Sequence, residues 1–272
     1  MATTSAPRRG PARPQRPARR WRFFRSVGAL MLREMSTTYG RSPGGYLWAL
    51  IEPIGAIALL SFVFSFVLRS PGLGNNFPLF YATGYLTFQL YISLSGLVAA
   101  AIRYSRAFLA YPAVTFTDAL VARFVLNAMT NLLVMVIVLG GIVWLYDLNL
   151  ILRWPAIFGA IGMTLSLAIG VGTMNCFLFT RFPVWQRVWG ILNRPMFLIS
   201  GVFFIPEMVP AQFREWMMLN PVAHGVSEMR RGFYATYDAV YVVPSYPCLV
   251  ALVLTLFGLL FLLRYHKDIA LR

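Results

Sequence analysis

The chain has almost no acid and almost no lysine. Nine Asp and Glu stand among 272 residues, and of 24 basic residues 23 are arginine and one is Lys267. Charged residues make up 12% of the sequence, about half of what a soluble domain carries, while 58% is hydrophobic. Too little polar sequence remains for a separate soluble domain. The only lysine stands in Arg264-Tyr265-His266-Lys267-Asp268 with no glycine-rich loop before it, so the chain has no P-loop and binds no ATP by that route. Cys176 and Cys248 fall inside apolar runs and in no CxxC, and His224 and His266 stand alone. Neither a disulfide nor a metal site is supported. Asp118, Asp147, Asp238 and Asp268 are isolated, and no DxD or ExxE pair occurs. A membrane glycosyltransferase or polymerase needs clustered carboxylates, so an enzyme is disfavoured and no catalytic residue is assigned. A net charge of +15 raises the question of nucleic acid. In so apolar a chain, arginine clusters mark one side of a membrane or bind anionic lipid, and no nucleic-acid partner is expected.

What is present is membrane sequence. Residues 1–20 are an Arg/Pro/Ala tail with almost no large apolar residue, which predicts disorder. No cleavable signal peptide follows, because the next stretch is charged and amphipathic. From Trp21 to Tyr39, Trp21, Phe24, Gly28, Met31 and Met35 recur at helical spacing, with Arg22, Arg25, Arg33 and Ser36 largely opposite. This predicts a helix on the membrane surface, within a segment 21–45 that ends in a turn; an ordinary half-buried helix has the same periodicity. Residues 46–272 then hold six runs long enough to cross about 30 Å of hydrocarbon: Leu47–Leu68, Phe77–Ile102, Ala119–Tyr146, Trp154–Thr180, Val188–Ile205 and Pro247–Leu263. The fold class is all-α and polytopic. With the N-terminus cytoplasmic, that side receives 17 basic residues and the other side five, which favours both termini inside.

Several charges sit where hydrocarbon is expected. Gly40, Pro43, Gly44 and Gly45 supply a turn from the surface helix into the first span, with Tyr46 and Trp48 at headgroup depth. Glu52 lies about one and a half turns inside, so it faces protein or water. Arg194 interrupts the fifth run and faces a cavity or a partner charge, unless it snorkels to the surface. The stripe Tyr81, Tyr85, Phe88 and Tyr91 reads more readily as core or lipid-facing surface than as a channel wall. Residues 206–246 are too long for a tight connection and too apolar for a solvated loop. Pro210–Leu219 predicts one short helix, and Asn220 as N-cap with Pro221 at the first helical position opens a second towards Tyr234. Trp216, Arg230 and Arg231 belong to this hairpin, which either dips into the outer leaflet or rests on it as a cap.

The segment Leu32-Arg33-Glu34, then Tyr39-Gly40-Arg41-Ser42, then Gly45-Tyr46-Leu47-Trp48-Ala49-Leu50-Ile51-Glu52-Pro53, resembles the membrane subunits of ABC-2 type polysaccharide exporters. Asn220-Pro221 followed by Arg230 resembles the superfamily's second signature. The likeness runs from about Trp21 to the C-terminus, and the Glu-Pro ending looks closer to capsule-exporter (KpsM-like) permeases than to O-antigen (Wzm-like) ones. The Arg/Pro tail lies outside the pattern.

The resemblance implies a homodimer of six-span subunits in a bacterial inner membrane. Two cytoplasmic ABC ATPases would bind the ATP and magnesium, so this chain carries no cofactor. A lipid-linked polysaccharide would pass between the two permeases towards a periplasmic co-polymerase and an outer-membrane channel. O-antigen, teichoic acid or another lipid-linked cargo is the alternative within that machine, and a passive channel or scaffold is a rival outside it. Arg33, Arg41, Tyr46, Trp48, Glu52 and Arg194 are then the entrance and channel candidates, near membrane lipid. An ATPase can move spans only through segments it grips. The segment 103–118 is the longest on its side and carries Arg103, Arg106, Phe108, Leu109, Tyr111 and Asp118, which makes it the candidate coupling surface; a loop folded against its own bundle is the plainer reading.

Overall fold

The computed structural model describes residues 19–38, 45–109 and 115–271. Among them the regular structure is all helix: α1 (Arg19–Thr38), α2 (Gly45–Val67), α3 (Phe77–Ala99), α4 (Ala101–Leu109), α5 (Phe116–Leu145), α6 (Trp154–Arg181), α7 (Pro183–Leu198), a 3-10 turn (Pro206–Met208), α8 (Ala211–Met218), α9 (Pro221–Phe233) and α10 (Ser245–Leu271). Residues 1–18 of the N-terminal tail lie outside the described residues, and Arg19 and Arg20 belong to α1.

Among the described residues, four helices are long and apolar enough to cross a membrane, at Leu47–Val67, Phe116–Leu145, Trp154–Arg181 and Ser245–Tyr265. α3 matches α2 at 23 residues, but its apolar run is diluted by Thr83, Thr87, Gln89, Ser93 and Ser95. α7 departs from expectation. The apolar run predicts Val188–Ile205, whereas the helix starts at Pro183 and stops at Leu198. Its 16 residues span about 24 Å, less than the roughly 30 Å of hydrocarbon. Pro183 opens it in the position proline favours, and Gly201, at φ +80°, turns the chain out of helical geometry.

α6 is the centre of the bundle, with α3, α9 and α10 packed around it. Two glycines allow the closest approach. A methyl group on Gly170 would fall 2.5 Å from the Ala251 carbonyl oxygen, and one on Gly258 would fall 2.8 Å from the Met174 nitrogen. Backbone contact of this kind is how helices pack where no water drives them together. The stripe Tyr81, Phe88 and Tyr91 is buried and Tyr85 half-buried, which agrees with the core reading.

α9 carries the residue that closes the fold. Arg230 is 0% exposed. Its Nη1 donates to the carbonyls of Gly201 (2.5 Å) and Phe204 (3.0 Å), its Nη2 donates to that of Val202 (2.8 Å), and the guanidinium lies 4.0 Å from the Phe80 ring centre. These are the carbonyls that the shortened α7 leaves without helical partners. Arg230→Ala is expected to strand all three, lowering stability by about 3 kcal/mol or more at 1–3 kcal/mol per buried orphan group. Arg230→Lys keeps the charge but not the fork, and is expected to recover less than half. Thermal unfolding of the purified variants in detergent is the measurement.

Candidate functional site

The end of the bundle that bears α1 is organised by an ion pair. Glu34 Oε1 lies 2.9 Å from Arg123 Nε, with side chains only 14% and 6% exposed. Arg123 also donates to the Leu97 carbonyl at 3.3 Å, and its guanidinium sits 4.1 Å from the Tyr104 ring centre on α4. Asn127, one turn along α5, donates to Glu34 at 3.3 Å and to the Arg123 carbonyl at 2.8 Å. α1 is therefore docked on α5. Val27, Met31 and Glu34 share its inward side, whereas Phe24, Leu32 and Met35 are exposed. A buried arginine demands the carboxylate.

Directly beside this pair, a cavity of about 450 Å³ opens between α2, α3 and α5. Trp48 and Glu52 line it from α2, Gln89 and Ser93 from α3, and Asn127 and Asn131 from α5. Two of the entrance candidates thus meet on one wall. Asn131 donates its amide to the Asn127 carbonyl at 2.8 Å, which leaves its oxygen free to accept from the cavity. Glu52, Gln89 and Ser93 make no hydrogen bond to any described residue. Glu52 is exposed and Gln89 and Ser93 are half-buried, so these groups are open to water or a ligand.

The other entrance candidates are elsewhere. Arg33 lies on the exposed side of α1, and Arg194 is exposed on α7, away from the cavity wall. Arg41 and the Tyr46 side chain lie outside the described residues.

The candidate coupling segment forms α4, which begins at Ala101, two residues before the predicted start. Arg103 donates to Gln186 Oε1 at the start of α7 (2.9 Å), and Trp185 Nε1 donates to Asn175 Oδ1 on α6 (3.0 Å). The side chains of Arg106, Phe108 and Leu109, and all of Tyr111, lie outside the described residues. Asp118 is buried and completes a capping box with Thr115: the Thr115 hydroxyl accepts from the Asp118 N–H, and the Asp118 carboxylate accepts from the Thr115 N–H at 3.0 Å. Its role is to start α5, which leaves it unavailable as a surface charge.

At the opposite end, the hairpin forms where Asn220 and Pro221 predict it. The Asn220 side chain accepts from the Val222 N–H at 3.1 Å and opens α9. The two short helices differ. Val226 on α9 is 0% exposed, while Trp216 on α8 is 72% exposed. α9 is packed into the bundle against α3 and α6 and is no surface cap. His224 Nδ1 accepts from the Val243 N–H (3.1 Å), so its Nε2 donates to the Met218 carbonyl (2.9 Å) as a neutral ring, and burial holds its pKa below the usual histidine range. Arg231 pairs with Glu228 at 3.1 Å.

Sequence reasoning missed the Glu34–Arg123 pair and the backbone-binding roles of Arg153 and Arg214. Arg153 donates to the Ala235 carbonyl (2.6 Å), and Arg214 to those of Pro206 (3.0 Å) and Val209 (2.9 Å). The available signal was Arg123 itself, a charge inside a span in a chain with only nine acids to pair it. Glu34→Leu is expected to destabilise the protein by about 3 kcal/mol, because it leaves a buried guanidinium unpaired. Adding Arg123→Leu is expected to restore more than half of that loss. A double-mutant cycle by thermal unfolding measures both.

Known proteins share this architecture's sequence. The family of ABC-2 type transporters matches residues 25–234. The capsule polysaccharide export inner-membrane protein CtrC of Neisseria meningitidis serogroup B is 27% identical over 252 residues, covering 90% of this chain and 92% of that protein. The polysialic acid transport protein KpsM of Escherichia coli is 28% identical over 242 residues, covering 86% and 91%. The capsule polysaccharide export inner-membrane protein BexB of Haemophilus influenzae is 23% identical over 252 residues, covering 90% and 92%. With more than half of its length matched, the chain belongs to the ABC-2 type transporter membrane family.

Proposed function

We propose that the chain is the permease subunit of an ATP-driven exporter that carries a lipid-linked, capsular-type polysaccharide across the inner membrane. The observation that carries this reading is the polar cavity holding Trp48 and Glu52 inside an apolar bundle, in a chain similar over nine-tenths of its length to a capsule export protein. A hydroxyl-rich cargo needs such a polar place at membrane depth; a lipid or hydrophobic drug does not.

In this reading the α1 end faces the cytoplasm with both termini, and the α8 end faces the periplasm. α2, α3, α5, α6, α7 and α10 make six crossings, with the segment after Leu198 completing the short fifth. The subunit works as a homodimer with two cytoplasmic ABC ATPases, which supply the nucleotide site this chain lacks. Arg194, exposed on α7 at span depth, faces the glycan path between the two permeases. A co-polymerase and an outer-membrane channel receive the glycan beyond. Arg41 holds the elbow between α1 and α2 at the anionic headgroups, and the end of α4, with Phe108 and Leu109, docks the ATPase.

Deleting the gene in its host is expected to remove the surface glycan and to accumulate lipid-linked glycan inside the cell, with recovery from a plasmid copy. Fractionation and glycan staining measure this; an unchanged surface glycan would sink the reading. The chain purified alone is expected to hydrolyse no ATP, and saturable hydrolysis by a preparation free of other subunits would exclude a pure permease role.

A further inference from the structure

We propose that the cavity between α2, α3 and α5 is a binding site for an uncharged sugar unit, a mono- or disaccharide portion of the transported glycan. The proposal rests on the transport reading above and adds to it a site within one subunit, with its own selectivity.

Charge decides first. Glu52 is the one ionisable side chain on the wall. The nearest cation from α5, Arg123, is engaged by Glu34 and Leu97 and stacked on Tyr104. From α3 the cavity receives Leu86, Gln89, Ser93 and Leu97, none of them charged. Among the described residues the wall offers one carboxylate and no free cation, so a phosphate or carboxylate entering here meets a like charge with nothing described to offset it. This lining disfavours the anionic groups of a glycan or lipid headgroup relative to a neutral sugar.

Hydrogen bonding decides second. Glu52 offers only acceptors, Gln89 offers two donors and an acceptor, and Ser93 offers a hydroxyl. None of the three has a protein partner among the described residues. The Asn131 oxygen adds an acceptor. A choline or ethanolamine group would answer Glu52 and leave the Gln89 donors unmet. A sugar is both donor and acceptor at each hydroxyl, and it answers the mixed set. Trp48, 59% exposed, stands at the rim, where its ring can cover the apolar face of a pyranose. The volume of about 450 Å³ falls in the range of small-molecule sites.

The test uses the full chain with its ATPase in lipid nanodiscs and two photoactivatable probes of equal chain length, an octyl β-glucoside and an octyl phosphate. Crosslinked peptides are mapped by mass spectrometry. The glucoside is expected to label segments 48–52, 89–93 and 127–131 about tenfold more than the phosphate does. Gln89→Leu and, separately, Asn131→Leu are expected to cut glucoside labelling by about tenfold, the effect of one lost hydrogen bond. Glu52→Gln is expected to keep glucoside labelling and to admit the phosphate probe, a change of selectivity that misfolding does not produce. Equal labelling by both probes would make this a lipid-headgroup site and overturn the proposal. Labelling no higher than background would leave a water-filled vestibule and overturn it as well. Labelling as expected, in a chain whose deletion leaves the surface glycan intact, would keep the sugar site and remove the export reading. Absent labelling with lost export would do the reverse.

Discussion

A single guanidinium, buried and dry, sets the geometry around it. α7 stops at Leu198, and the chain from Ile199 to Ile205 is irregular where a full span would still be helical. Backbone carbonyls cannot face hydrocarbon unpaired. Arg230 answers three of them at once, and it reaches them only because α9 enters the bundle. That position constrains other elements in turn. A methyl group on Gly84 of α3 would fall 2.9 Å from Arg230 Nη2 and 3.2 Å from the Val202 Cα, so α3 must present glycine there. The Phe80 ring packs against the charge from the same helix. The short fifth helix, the inserted hairpin and the small residue on α3 are parts of one arrangement.

Similar chemistry engages four of the five arginines that the charge asymmetry would place on the periplasmic side. Arg153 and Arg214 hold carbonyls of the chain between α7 and α10, Arg230 holds those after α7, and Arg231 is paired with Glu228. Arg214 also donates to the Tyr241 hydroxyl at 2.7 Å, which ties the α8 region to the approach of α10. A topology count treats each basic residue as a free charge, whereas Arg214 and Arg230 act as multidentate backbone donors. Lysine, with a compact ammonium, cannot span neighbouring carbonyls in a fixed fork. The preference for arginine over lysine is intelligible at these positions on that ground.

Helix existence was readable because long apolar runs and local caps are local signals. The start of α9 followed from Asn220-Pro221, and the ends of α2, α3, α5 and α6 fell within a few residues of the apolar runs. α7 was not readable to its end, because Val202, Phe203 and Ile205 continue the apolar run, and hydropathy does not register Gly201 at φ +80° or an arginine 29 residues away. The docking of α1 on α5 was hidden for a related reason: Glu34 and Arg123 are 89 positions apart, and helical periodicity sees neither partner of such a pair. At the cavity, Glu52 was conspicuous as a carboxylate at span depth. Gln89, Ser93 and Asn131 were not, since one amide or hydroxyl in a span is ordinary and only the packing of three helices brings them to one wall.

That packing also places the cavity in mechanical contact with the end of the bundle where, on the transport reading, the ATPases act. α4 is tied on one side to α7 through Arg103 and Gln186, and on the other to α5 through Tyr104 and Arg123. Arg123 holds Glu34 of α1, and Asn127, which shares Glu34, is itself part of the cavity wall. These links are short and several are buried, so α4 cannot shift by a fraction of a turn without breaking one of them or carrying the next residue along. A push on α4 would therefore reach α1 and the cavity floor through side chains already in contact, and α7, which bears Arg194, through a separate hydrogen bond. The coupling and the site need no long-range device between them, because the Glu34–Arg123–Asn127 cluster belongs to both.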